Sequence, residues 1–449
     1  MSFRRELNAF DTAMVVVGGI IGAGIFINPY IVAQRLDTPG LVMAAWLAGG
    51  MIALAGALTF AELGTLFPKA GGHYVYLREA YHPAVGFLYG WGLLLMLEGG
   101  AIAAVALTFA EYTLRLVNRP DASGQVLAVM GIAVVAAVNY VGVKPGSRVL
   151  NGFVILKLIP LGLLIVAGLF LPGAPDGGAT QDALAIAGEG EPPLLLFAFG
   201  AALIPIMFSY GGWQNANYVA EEMKNPVRDL PISLLSGTAL VVLVYGLVNF
   251  VYLKTLGHSG LAGTLTPASD AADVLFGDTG NFLITLGIAV STFGFLNLTM
   301  LAPTRVYYAM ARDGLFPERV ARLHPKYDTP SLAIVIQSVW AIILVLAGTY
   351  AQLVDYVVFA DWIFFGLAGA SLFVFRRRFP VAKRSADVFA TPGYPFVPGM
   401  FVAAAFLIVG SVLWTNPVGS GLGVLILLAG LPAYRFWAGR SVPKGESDA

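Results

Sequence analysis

The sequence predicts an all-α integral membrane protein with about twelve transmembrane helices. Three observations carry that prediction. Of 449 residues, 58% are apolar and only 12% are charged, where a soluble globular chain carries about 25% charged residues. Half the usual charge cannot cover a soluble surface of this size, and the mean hydropathy of +0.78 agrees. Twelve apolar stretches are each long enough to cross a hydrocarbon core, which takes about 20 residues. The first and the sixth of them are interrupted by glycine and proline in equivalent places.

Composition also excludes several kinds of chemistry. The 26 basic and 26 acidic residues cancel, so no nucleic-acid partner is expected. There is no cysteine, hence no disulfide, thiolate metal site or thiol nucleophile. His73, His82, His258 and His324 are scattered along the chain, so neither a histidine-built metal site nor a cofactor is expected.

The spans lie near 10–34, 40–67, 84–117, 126–142, 149–171, 194–221, 232–254, 281–311, 330–348, 353–375, 396–414 and 418–438. The first is no cleavable signal, because it continues past its glycine break and a second span follows at once. Positive charge fixes the orientation. With both termini inside, 21 of the 26 Lys and Arg fall in cytoplasmic segments; Arg35, Arg115, Arg119 and Lys254 fall outside, and Lys157 lies within a span. The predicted outer loop 172–193 is acidic (Asp176, Asp182, Glu189, Glu191) and rich in glycine and proline. The Arg376–Arg378 run reads as a positive-inside anchor ending span ten, with lipid binding as the other reading. No segment is long enough to fold as a soluble domain, and 439–449 reads as a short cytoplasmic tail.

Span one contains Gly18-Gly19-Ile20-Ile21-Gly22-Ala23-Gly24, and span six contains Pro205-Ile206-Met207-Phe208-Ser209-Tyr210-Gly211-Gly212-Trp213. Paired interruptions in corresponding helices point to a transporter binding site. Unwinding frees N–H and C=O groups that hydrocarbon cannot satisfy, and a substrate can satisfy them instead. The start of the outer half-helix, at Ala23, Gly24 and Ile25, offers N–H donors and a positive dipole end to a carboxylate. Carbonyls near Gly19 and Ile20, with those of Phe208, Ser209 and Tyr210, offer acceptors to an ammonium group. A zwitterionic α-amino acid carries both charges at that separation. Close packing of helices through small residues is the other reading of the glycines.

At these residues the chain resembles the amino acid–polyamine–organocation superfamily, and within it the bacterial L-type amino acid transporter-like permeases. The first-span motif continues through Ile25-Phe26. Ala61-Glu62-Leu63-Gly64 with Pro68 through Glu79, Phe208 through Trp213 with Glu221 through Pro231, and Ala311 through Pro317 carry the rest. The resemblance implies a five-plus-five inverted repeat with broken helices one and six, plus two extra helices, as one transmembrane domain. Repeat one would cover about 10–171, repeat two 194–375 and the extra helices 396–438. It implies that residues 20–25 (Ile20, Ile21, Gly22, Ala23, Gly24, Ile25) and 207–212 (Met207, Phe208, Ser209, Tyr210, Gly211, Gly212) surround the substrate, with Phe208 closing over it from outside. Ala23 stands where many relatives have serine, so backbone N–H groups must hold the carboxylate unaided. The absence of cysteine rules out a disulfide-linked heavy subunit.

Lys157 lies about eight residues into span five, roughly 12 Å deep. A charge at that depth is costly and functional by default, although a lysine can also snorkel. Sodium-independent relatives place a lysine where others bind sodium, and Lys157 looks like that residue. It would reach carbonyls around Gly19 and the span-eight hydroxyls of Ser291 or Thr292, with Tyr245 helping to hold the centre. Glu98, midway along span three, could line the cavity as a proton carrier, favour a cationic substrate, or serve as a structural hydrogen-bond partner. Asn297 is a candidate for the site wall, while Glu62 and Glu111 suit scaffold roles. The expectation is therefore a sodium-independent permease of the plasma membrane for small or mid-sized neutral L-amino acids. Transport of basic amino acids or polyamines, by proton coupling or exchange, is the alternative. A membrane-embedded enzyme would want a convergent acid–base or metal set, which the spans lack.

Overall fold

The computed structural model describes residues 5, 7–68, 71–119, 122–141, 147–171, 195–301, 303–322, 324–327, 329–381 and 388–438. The predicted outer loop 172–193, the tail 439–449 and Lys69, Lys144, Lys383 and Arg384 lie outside them.

A helix occupies each of the twelve predicted spans. Eight are long and apolar enough to cross a membrane unaided, from Pro39–Leu66 (span two) to Pro417–Trp437 (span twelve). Span one is the pair Ala9–Ile20 and Gly24–Arg35, bent by 42° at its break. Spans five, six and nine are Ser147–Phe170, Leu195–Tyr210 and Ser331–Ala347.

Local sequence starts these helices where polar caps meet apolar runs. Asn8 and Asp11 form a reciprocal capping box before span one, and Thr349 with Gln352 does the same before span ten. Prolines open spans two, three and seven at Pro39, Pro83 and Pro226, where the missing N–H costs nothing. Burial then sorts the bundle. In span three 72% of the apolar window is buried, but in span four only 28% and in span twelve 17%, so three is central and the others peripheral. Val126, Met130, Val134 and Val138 recur every fourth residue and are all exposed, which gives span four one lipid-facing stripe.

Some boundaries differ from the hydropathy reading. Span six, expected to run to 221, ends at Tyr210, and only a single turn, Asn215–Tyr218, follows. Span seven is longer, Pro226–Ala262, because its polar flanks are also helical. Span eight, expected over 281–311, runs Pro267–Leu301, and a separate helix Thr304–Arg312 begins beyond Pro303, which has no N–H to continue a ladder.

On the inner side, Leu7 N donates to Glu222 O at 3.0 Å and Lys224 N to Leu7 O at 2.8 Å, tying the start of span one beneath span six. Arg78 pairs with Asp313, and Tyr74 donates to Asp313 at 2.5 Å, joining the loop after span two to that after span eight. The arginine run is largely structural. Arg376 holds Glu62 in a bidentate pair at 2.8 and 2.6 Å, Thr391 N donates to the same carboxylate at 2.7 Å, and Arg378 donates to the Glu79 and Ala80 carbonyls. Glu62 is fully buried, in line with its expected scaffold role. Glu62→Ala leaves a buried guanidinium uncompensated, which costs about 3–5 kcal/mol. A thermal melt of the purified protein is expected to show a marked loss of stability.

Candidate functional site

The two breaks meet at the centre of the bundle. Gly212 sits at φ +108°, and a Cβ there would lie 2.0 Å from the Gly19 carbonyl oxygen. Only glycine permits both that backbone angle and that approach. Gly24 plays the matching role on the outer side, where a Cβ would lie 2.5 Å from Ser209 Oγ. The half-helices of spans one and six therefore touch backbone to backbone on either side of their breaks.

Side chains satisfy what the breaks release. Pro205, inside span six, cannot donate to the carbonyl four residues back, and Arg35 from the end of span one donates to that carbonyl, Ala201 O, at 2.5 Å. Asn28 Nδ2 donates to Pro205 O at 2.7 Å and to Ser209 Oγ at 2.8 Å, and Tyr350 donates to Asn28 Oδ1 at 3.1 Å. Tyr245, fully buried in span seven, donates to the Ile20 carbonyl at 2.9 Å and reaches the Ser209 carbonyl at 3.2 Å. One hydroxyl thus spans both breaks.

A cavity of about 90 Å³ opens between the breaks, walled by spans one, three, six, eight and ten. That is several times the roughly 10–15 Å³ a single water needs, and suits a small solute. Of the expected residues, Gly19, Ile20, Gly22, Ala23, Gly24, Met207, Phe208, Gly211 and Gly212 form its wall, together with Glu98. Ile21, Ile25, Ser209 and Tyr210 stand behind it and are buried. At the start of the outer half-helix no side chain caps the first turn, so the N–H groups of Gly24 and Ile25 have no intrahelical partner. The Phe208 ring meets Tyr350 edge-on at 6.5 Å. Tyr350 also lines a second, outer pocket with Tyr30, Glu111 and Gln125, so these two rings partition the cavity from that pocket. Phe208→Ala is expected to raise the rate at which substrate exchanges from the outer side, read from dissociation of labelled amino acid.

Lys157 is 4% exposed. Its ammonium donates to Gly18 O at 2.9 Å and Ile21 O at 2.7 Å, and lies 5.0 Å from the centre of the Phe295 ring. The expected acceptors around Gly19 are thus replaced by its neighbours, because the Gly19 carbonyl is turned onto Gly212. Nor does span eight offer the expected hydroxyls: Thr292 is bonded to the Ile288 and Ala289 carbonyls of its own turn, and Ser291 is buried. The contribution of span eight is the Phe295 face, a cation–π contact. Asn297 is not on the wall. Phe295 and Thr299, four residues apart, share the cavity face, while Asn297 turns to span four and accepts from Asn139 Nδ2 at 2.6 Å.

Several wall and support residues are not singled out by sequence: Asn28, Arg35, Phe295, Tyr350 and Asp361. Asp361, an acid alone within apolar span ten, lines the cavity with Glu98. Its depth in an apolar helix is the signal that could have found it, as the same signal marks Lys157.

Comparison with known proteins decides the family. The sequence model described as amino acid permease matches residues 7–432. The chain belongs to the amino acid permease family. The permease is similar to the serine/threonine exchanger SteT of Bacillus subtilis (strain 168), 34% identical over 96% of each chain. It is 31% identical to the cystine/glutamate transporter of Homo sapiens, over 97% of this chain and 85% of that one. The large neutral amino acids transporter small subunit 2 of Homo sapiens is 30% identical, over 97% of this chain and 80% of the relative. The family and these relatives are transporters, so the helices cross a membrane and the cargo is an amino acid. Without a cysteine, this permease cannot be tied to a further subunit by a disulfide.

Proposed function

We propose that the permease exchanges small or mid-sized neutral L-amino acids across the plasma membrane by alternating access, without sodium, with both termini in the cytoplasm. Residues 10–171 and 194–375 act as the two repeats and 396–438 as appended helices. The observation that carries this reading is Lys157, whose ammonium is bonded to two carbonyls of the span-one break. A fixed cation there takes the place a sodium ion would need. The amino acid's carboxylate is received by the Gly24 and Ile25 N–H groups, and its ammonium by carbonyls at the span-six break. The modest cavity and the names of the serine/threonine and large neutral amino acid relatives favour neutral, smaller side chains.

The initial rate of labelled alanine uptake into reconstituted vesicles tests this. Equal rates in sodium and choline chloride are expected, and a clear stimulation by sodium overturns the role given to Lys157. A second reading, transport of basic amino acids or polyamines, is favoured by one feature: Glu98 and Asp361 both face the cavity. Under that reading Glu98→Gln abolishes uptake of labelled arginine while sparing alanine.

A further inference from the structure

Span three changes register just before Glu98. Residues Leu93–Leu97 form a π-helical turn, an arrangement that loosens the backbone ladder and recurs at functional sites. The Leu95 carbonyl within it accepts from Trp340 Nε1 at 2.5 Å and lies 3.5 Å from the Tyr356 hydroxyl. Spans nine and ten thereby hold the turn open. Its effect is to set Glu98 on the cavity wall, where Asp361 of span ten also stands. Each carboxylate lies within electrostatic reach of the other, and among the described residues neither has an ion-pair partner.

The groups around this pair are hydroxyls. Tyr89 of span three and Tyr218 beyond the span-six break share a short hydrogen bond, and both interact with Glu98 and Asp361. Tyr307, from the helix that follows span eight, interacts with Glu98. Its hydroxyl is fully buried and has no hydrogen-bond partner, so a polar side chain points unpaired at the acidic pair. His73 stacks on Tyr89 at 5.2 Å, one layer further in. Lys157 is on the far side of Phe295. Two carboxylates so close, in an enclosed cavity without a countercharge, are not both ionised.

We propose that Glu98 and Asp361 hold one proton between them and form the cation site of the cavity, filled by that proton when the substrate is neutral. The proton comes from water in the open cavity and bridges the two carboxyl groups. The hydroxyls of Tyr307 and of the Tyr89–Tyr218 pair supply donors to the remaining negative charge. The pair itself rests only on the cavity, whereas its link to transport rests on the proposed amino acid function.

Infrared spectroscopy of the purified full-length protein in lipid nanodiscs tests the pair without any substrate. A carboxylic-acid C=O band is expected at neutral pH. It is expected to vanish in Glu98→Gln and equally in Asp361→Asn, because the remaining carboxyl ionises once its partner's charge is gone. No such band at neutral pH, or a band that survives Asp361→Asn, overturns the proposal. If either variant fails to fold, judged by elution as a single species, titration of the wild type decides: release of one proton per chain with loss of the band supports the pair, and no release refutes it. In vesicles, wild-type alanine exchange is expected to fall by about tenfold per pH unit once the shared proton is lost. Wild-type vesicles that carry no neutral amino acid would sink the proposed function, while the infrared band would still decide whether the pair shares a proton.

Discussion

Lys157→Ala is expected to lower transport by about a hundredfold or more while the protein still folds and inserts. The ammonium makes two hydrogen bonds, to Gly18 O and Ile21 O, and bonds to a charged group contribute about 1.5–3 kcal/mol each. About 1.4 kcal/mol is a factor of ten. Alanine leaves both carbonyls unpaired at the point where span one is bent, and removes the charge resting on Phe295. The inner half-helix then loses the support that keeps its break next to Gly212. Nothing else in the scaffold depends on that contact, since the Glu62–Arg376 pair and the Asp313 link lie elsewhere. Initial uptake rates, with the amount of reconstituted protein matched, provide the check. Wild-type rates in the variant would remove Lys157 from the mechanism.

Gly24→Val is expected to weaken amino acid binding by at least about tenfold, equivalent to about 1.4 kcal/mol. Even a single methyl at this position would lie 2.5 Å from Ser209 Oγ and 2.7 Å from Ser209 Cα. The second of these is backbone, so the outer halves of spans one and six must separate. That movement carries the Gly24 and Ile25 N–H groups away from the carboxylate they are proposed to hold. Gly246→Ala serves as a control, because a Cβ there meets no atom within 4 Å. Titration calorimetry with alanine reads both. Unchanged affinity in Gly24→Val would place the binding site elsewhere.

Much of this arrangement is legible in the sequence, for identifiable reasons. Apolar runs of about 20 residues and a strong basic asymmetry report directly on the membrane, so all twelve spans coincide with helices. The breaks are legible because glycine and proline interrupt otherwise unbroken apolar helices. The positions of side-chain partners are less so, because they depend on rotation about each helix. Lys157 finds Gly18 and Ile21 instead of Gly19, since the close approach to Gly212 turns the Gly19 carbonyl away. Asn297 faces span four because it sits half a turn from Phe295 and Thr299. Asn28 and Arg35 look like ordinary polar residues near a span end. Their importance appears only when Pro205, far along the chain, leaves carbonyls that need donors. Span six ends earlier than its apolar run suggests, because hydropathy does not register that Gly211-Gly212 stops the helix.

The most direct test of the central claim is uptake of labelled alanine, without sodium, into vesicles that are either empty or preloaded with unlabelled amino acid. Exchange predicts uptake into the preloaded vesicles and little into the empty ones. Folded protein that moves no alanine in either case would contradict it.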